Sequence, residues 1–139
     1  MSITQLKLYE NITCHKSIDV GELYFFENFV VAEFKEGVNL SFDTFNEARI
    51  AIKEQFGSND FGFIGNRINS YSILVTDGPS FNEEFKNLKA YAVVSHSFIT
   101  EKIFEIENHF FNFNRKSFTS LEDAVVWVEL SLKKVSEAN

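Results

Sequence analysis

The chain has 139 residues, 13 Lys+Arg against 20 Asp+Glu, a formal net charge of −7, and 17 Phe with 4 Tyr and 1 Trp. With 45% hydrophobic residues, 1 Pro and 6 Gly, it is too apolar and too poor in breakers to be disordered or collagen-like, and its length suits one domain. A pI near 4.9 opposes attraction to nucleic-acid phosphates and to anionic membrane surfaces, and no apolar run approaches the roughly 18 residues of a spanning helix.

We therefore read a single domain over residues 1–139, with 1–20 its least defined segment. A short strand is expected around Leu6 to Tyr9, followed by a polar stretch from Asn11 to Asp19. The lone Cys14 excludes an internal disulfide, and MSITQLKLYE lacks a charged and then apolar leader, so the expected location is cytoplasmic. Residues 22–26 and 29–34 are β-rich runs separated only by Glu27-Asn28, the pattern of a hairpin. Ser41, Asp43 and Thr44 compete as N-caps for a helix whose stripe is Phe45, Ala48, Ile52 and Phe56, with Thr44 and Glu47 at capping-box spacing and Gly57 at its end. Phe61 to Ile64 is the next strand, and the segment from Gly65 to Ser72 after it is polar and lacks a helical stripe.

Ile73 to Val75 reads as a short strand and Asp77-Gly78-Pro79 as a turn. Ser80 and Glu83 then form a second capping box before a short helix bearing Phe81, Phe85 and Leu88. Ala90 to Ser95 is a strand covered on both faces, expected to be central. Ile99, Ile103, Ile106 and Phe110 recur at steps of four, three and four, so this third helix is expected to bury them and to leave Glu101, Lys102, Glu105 and Glu107 in solvent. A weaker strand lies between Asn112 and Phe118, and Ser120 with Asp123 caps a last helix whose face is Leu121, Ala124, Val125, Val128 and Leu132, beside Trp127. Alternation after an initial hairpin predicts an α/β sandwich: a mixed sheet of four to five strands carrying about four helices.

The phrases Leu88-Lys89-Ala90-Tyr91-Ala92-Val93-Val94 and Phe118-Thr119-Ser120-Leu121-Glu122-Asp123-Ala124-Val125-Val126-Trp127, with the segment Asn66 to Ser72, resemble the STAS superfamily. The likeness is to its SpoIIAA-like (STAS/SEC14-like) branch of small bacterial proteins. That resemblance implies a non-enzymatic regulatory module, of a kind that switches partners when a serine before the second helix is phosphorylated. The family's Asp-Ser-(Ser/Thr)-Gly pattern does not occur here; Asp77-Gly78-Pro79-Ser80 has the wrong order, and Ser70 and Ser72 lie in the polar segment. Related folds that hold an acyl ligand between helices and sheet supply a second implied role.

The polar segment is the candidate binding site, because open α/β sheets collect ligands beyond the carboxyl ends of their strands. Arg67 offers a planar five-donor fork for an anion, Asn66 and Asn69 donate and accept, and Tyr71 joins a ring to a hydroxyl. The structural alternative is an arginine that fixes its own loop by bonding carbonyls or a carboxylate. His96, at the end of the central strand, is expected near the same cleft, either as a titratable group or bonded to backbone. Ser70, Ser72 and Ser80 are the candidate phosphoacceptors, with Ser80 equally an N-cap. No catalytic motif, metal-ligand spacing or phosphate cradle occurs, so no catalytic residue, metal or cofactor is expected. The expected function is a non-enzymatic module acting through a protein partner, and the alternative is a carrier or sensor of a small apolar or acyl ligand; a homodimer is left open. Of the phenylalanines, Phe25, Phe104 and Phe111 fall off the main stripes, and any of them left exposed would mark a partner or ligand surface.

Overall fold

The computed structural model describes residues 1–138. A mixed six-stranded sheet is built from β1 (Cys14–Ile18), β2 (Gly21–Phe25), β3 (Phe29–Phe34), β5 (Phe61–Asn66), β7 (Leu88–Val94) and β8 (Arg115–Phe118), in the spatial order β1-β2-β3-β5-β7-β8. The first three strands are an antiparallel meander, and β3, β5, β7 and β8 run parallel. Two short strands, β4 (Asn39–Leu40) and β6 (Ser72–Ile73), pair separately. Among the described residues, four α-helices complete the fold: α1 (Asn46–Phe56), α2 (Gly78–Glu84), α3 (Phe98–Glu107) and α4 (Leu121–Ala138).

The α/β class holds, with more strands than the four to five expected. The additional one is β1, whose alternating partly buried and exposed residues lie in the stretch read as polar. Leu6 to Tyr9 is not a strand: Ile3–Gln5 and Lys7–Asn11 are 3-10 turns that set Ile3 in the core.

Period-two alternation along the parallel strands makes two cores, one on each face of the sheet. On one face Val30, Ala32, Tyr91 and Val93 meet α1, α2 and the phenylalanine-rich loops. On the other, Val31, Ile64, Ala92 and Val94 meet α4 through Leu121, Ala124, Val125, Val128 and Leu132, the five residues expected from its stripe. Close approach of α4 depends on Gly62, where a Cβ would collide with the Val128 Cγ1. Gly57 ends α1 at φ +57°, a conformation that costs other residues strain.

Local capping departs from expectation in two places. Ser41 and Thr44 close on each other, with the Thr44 amide donating to Ser41 Oγ and the Ser41 amide to Thr44 Oγ1, so α1 begins at Asn46 with no side-chain cap. At α2 the helix already starts at Gly78 and Pro79 sits in its first turn, where a missing N–H costs nothing. Ser80 is thus an exposed residue inside the helix and not its cap. The β2–β3 connection is the two-residue loop Glu27-Asn28, closed by the Phe26 amide donating to the Phe29 carbonyl, and Asn28 does not use positive φ.

Candidate functional site

The carboxyl ends of β3, β5 and β7 carry two polar clusters, and strand alternation sends them to opposite faces. Asn66 is the last residue of β5 and fully buried, on the α4 side; Arg67, one step on, is buried on the α3 side. The expected exposed loop therefore starts inside the protein.

On the α4 side Asn66 Nδ2 donates to Glu33 Oε2 at 2.8 Å and to the Met1 carbonyl at 2.8 Å. Glu33 is itself buried and accepts from Ser2 Oγ at 2.7 Å and from the Ile3 amide at 2.7 Å. His96 Nε2 lies 3.0 Å from Asn66 Oδ1, which brings His96 to the polar segment as expected. Partial burial holds the imidazole below its ordinary pKa, because losing water penalises the charged form. Ser95 Oγ is buried beside it with no hydrogen-bond partner among the described residues.

On the α3 side Arg67 Nη2 lies 2.6 Å from Glu107 Oε1, and Arg115 Nη2 reaches the same oxygen at 3.2 Å. The three side chains are 3%, 2% and 0% exposed for Arg67, Glu107 and Arg115 respectively. Two guanidiniums against one carboxylate leave an excess positive charge in the interior, and aromatic faces supply the balance. The Arg115 guanidinium lies 4.5 Å from the Tyr91 ring, 4.6 Å from Phe104 and 4.9 Å from Phe111, while Arg67 lies 5.0 Å from Tyr71. Burial works against the Arg67 charge, yet Tyr71 and Glu107 outweigh it and keep its pKa above the ordinary value. Burial also pushes the Tyr71 hydroxyl up to about 12. The cluster does the work of the structural alternative: Arg67 fixes its loop on a carboxylate.

The remaining segment residues are also engaged. Asn69 Nδ2 donates to the Phe34 carbonyl, the Ser70 amide donates to Glu36, and Ser72 Oγ donates to Asn39. Ser70, Ser72 and Ser80 are exposed. Glu33, Glu107 and Arg115 were missed by sequence reasoning. Glu107 reads as one more solvent-facing acid, and only the spacing of Phe104, Glu107 and Phe111 hints at a second stripe, which runs from α3 into the chain just after it.

That second stripe is the one that faces inward. Phe104 is buried with Glu107, whereas Phe98 is 75% exposed, Ile99 70% and Ile106 60%. The expected core stripe of α3 is thus mostly its outer surface, and Phe25, Phe104 and Phe111, the rings expected to be spare, are all buried.

Between α1, α2 and the sheet lies an apolar cavity of about 40 Å³, walled by rings that include Phe45, Phe61, Phe63, Phe81, Tyr91 and Phe111. A surface groove of about 760 Å³ opens at the amino ends of β7 and β8, between the end of α2 and the chain that follows α3. Among the described residues no cluster of three or more His, Cys, Asp or Glu could hold a metal, and no helix is long and apolar enough to cross a membrane. No family model, curated protein or solved structure matches the chain.

Proposed function

We propose that the protein is a non-enzymatic binding module of regulatory type that acts through a protein partner, and that α3 is its contact element. One observation carries this reading: α3 turns Phe98, Ile99 and Ile106 to solvent on one side while burying a glutamate on the other. Single exposed apolar residues are ordinary, but three on one short helix are a surface that a partner would cover. A basic partner fits better than a second copy, since two copies would bring a net charge of −7 against −7. The buried side chains of Arg67, Asn66 and Tyr71 are occupied in holding the strand ends, which favours a shape-based role over one in which they grip a ligand directly. The α/β architecture is compatible with the STAS-like, SpoIIAA-like resemblance, and a bacterial origin and cytoplasmic location belong to the same proposal. Phosphorylation of Ser70, Ser72 or Ser80 would act on exposed positions.

A benzophenone side chain placed at position 99 tests the contact in the native cell, with the exposed position 47 on α1 as control. The reading expects an adduct with a basic protein from position 99 only, lost when Ile106→Asp is added. An adduct of two copies, no adduct, or indifference to Ile106→Asp would overturn it.

A second reading, a carrier of a small apolar ligand, is supported by the aromatic cavity on the α1 and α2 face. Native mass spectrometry of gently purified protein against an organically extracted sample tests it, a lost mass being the expected result.

A further inference from the structure

The groove and the apolar cavity are contiguous. Phe85, Leu88 and Phe113 line both, so a single wall separates a polar surface trough from a ring-lined void. Phe113 is only partly buried and packs on Phe111 and Tyr91 of the inner wall, at ring separations of 6.2 Å each. This junction lies at the amino ends of β7 and β8, away from the polar clusters at the opposite strand ends.

The sizes divide the ligand into two parts. About 760 Å³ of groove falls in the roughly 300–1,000 Å³ range of small-molecule sites. The cavity, at about 40 Å³, exceeds the roughly 10–15 Å³ that one water needs but falls well below the roughly 150 Å³ that admits benzene. It can receive only the end of an apolar chain. Its lining offers a water nothing to bond, so an apolar group is the occupant that suits it.

The charge at the mouth then selects the other end. On a chain of net charge −7, the groove gathers Lys86, Lys89 and His109 with Glu83 as its one acid. Lys86 is paired to Glu83 at 3.1 Å, whereas the Lys89 ammonium is held by a carbonyl, that of Lys86, at 3.0 Å. Two ammoniums against one carboxylate leave a single positive charge, which matches a monoanion. Asn82 and Asn112 are tied together along the trough, the Asn112 amide donating to Asn82 Oδ1, and so present a fixed polar edge.

We propose that the groove and cavity form one binding site for a small amphipathic monocarboxylate, its chain end seated behind Phe85, Leu88 and Phe113 and its carboxylate beside Lys86 and Lys89. This rests on the carrier reading and adds the charge and the point of entry.

Methyl NMR of the full chain titrated with octanoate, protonated octylamine or 1-octanol tests it, because Ile52, Ile73 and Leu88 report from the cavity wall and Ile99 and Ile106 from α3. Octanoate is expected to move the cavity methyls saturably, to bind about tenfold more tightly than octylamine, and to weaken about tenfold in Lys86→Glu/Lys89→Glu, a change confined to the groove surface. Equal binding of octanoate and octanol at the cavity methyls, unaffected by the double variant, overturns the carboxylate and leaves the carrier reading standing. No movement of the cavity methyls with any of the three, or movement confined to Ile99 and Ile106, overturns both.

Discussion

Glu107 is the residue on which most of the interior electrostatics turns. It accepts from both Arg67 and Arg115, and the second carboxylate oxygen and the two Nε atoms have no partner among the described residues. A buried pair of this kind contributes little net stability over an apolar replacement, but breaking it strands charge. Glu107→Gln leaves two guanidiniums facing a neutral amide, and urea denaturation should show a loss of about 3–5 kcal/mol; a loss under about 1 kcal/mol would mean that the rings alone support both arginines. His96 gives a pH signature of opposite kind. Its folded pKa lies below the ordinary 6.5, so between the two values the unfolded chain binds more protons. Stability is complete above about pH 6.5 and declines as pH falls below it. The decline should shrink in His96→Gln, measured by denaturation at about pH 7.5 and about pH 5.5, either side of the ordinary histidine value, and an unchanged decline would assign it elsewhere. Glu107's surroundings could not be read along the chain, since it meets Arg67 from 40 positions away, whereas the end of the strand placed His96 near the polar segment although Asn66 lies 30 positions away.

At the scale of elements, α3 and α4 make an informative pair. Both carry an apolar repeat at helical spacing, and in α4 the repeat is the buried face without exception. In α3 the repeat Ile99, Ile103 and Ile106 is turned largely outward, Phe104 and Glu107 look inward, and the helix ends at Glu107, short of the Phe110 expected to close the repeat. Periodicity states that a helix has an apolar face but not what covers it, and here Arg67 and Arg115 claim α3 through its glutamate. The consequence is measurable by equilibrium unfolding. Phe98→Ser and Ile99→Ser should each change stability by no more than about 0.5 kcal/mol, as surface substitutions do, while Phe104→Ala should cost about 3–5 kcal/mol. The reverse ranking would show that α3 packs on its isoleucines. Capping residues were similarly ambiguous: Ser41, Thr44 and Ser80 satisfy the sequence rule for a helix start, yet a local Ser41–Thr44 closure and an earlier start of α2 displace them.

For the molecule as a whole, one sheet separates two cores, and each parallel strand of its centre contributes alternate residues to both. The cores cannot melt independently while the strands persist. Trp127, which packs at the second core beside Phe118, should report the same denaturation midpoint as the far-UV signal of the entire chain; separated midpoints would show that the two faces unfold apart. Gly62 ties the layers at one point, so Gly62→Ala should destabilise by about 1–3 kcal/mol through overpacking against Val128, and Val128→Ala in the same chain should recover part of that loss.

Local pattern by itself determined the α/β class, the β2–β3 hairpin, the stripe of α1, most of the strand read over residues 90–95 and the buried face of α4, whereas Leu88, read as part of the second helix, opens β7. These are legible because backbone geometry imposes periods of two and 3.6 residues on any segment that buries one side. It also placed His96 near the polar segment. Only the tertiary structure decided that Asn66 and Arg67 point inward, that Glu107 is buried and Ile99 exposed, and that a groove and a cavity meet at Phe113. Burial is a property of what arrives from elsewhere in the chain, and charge pairs across tens of residues leave no periodic trace. The large phenylalanine content follows from the same cause: most rings fill the two cores and surround Arg115, and Phe98 on α3 and Phe110 just beyond it are the rings left exposed.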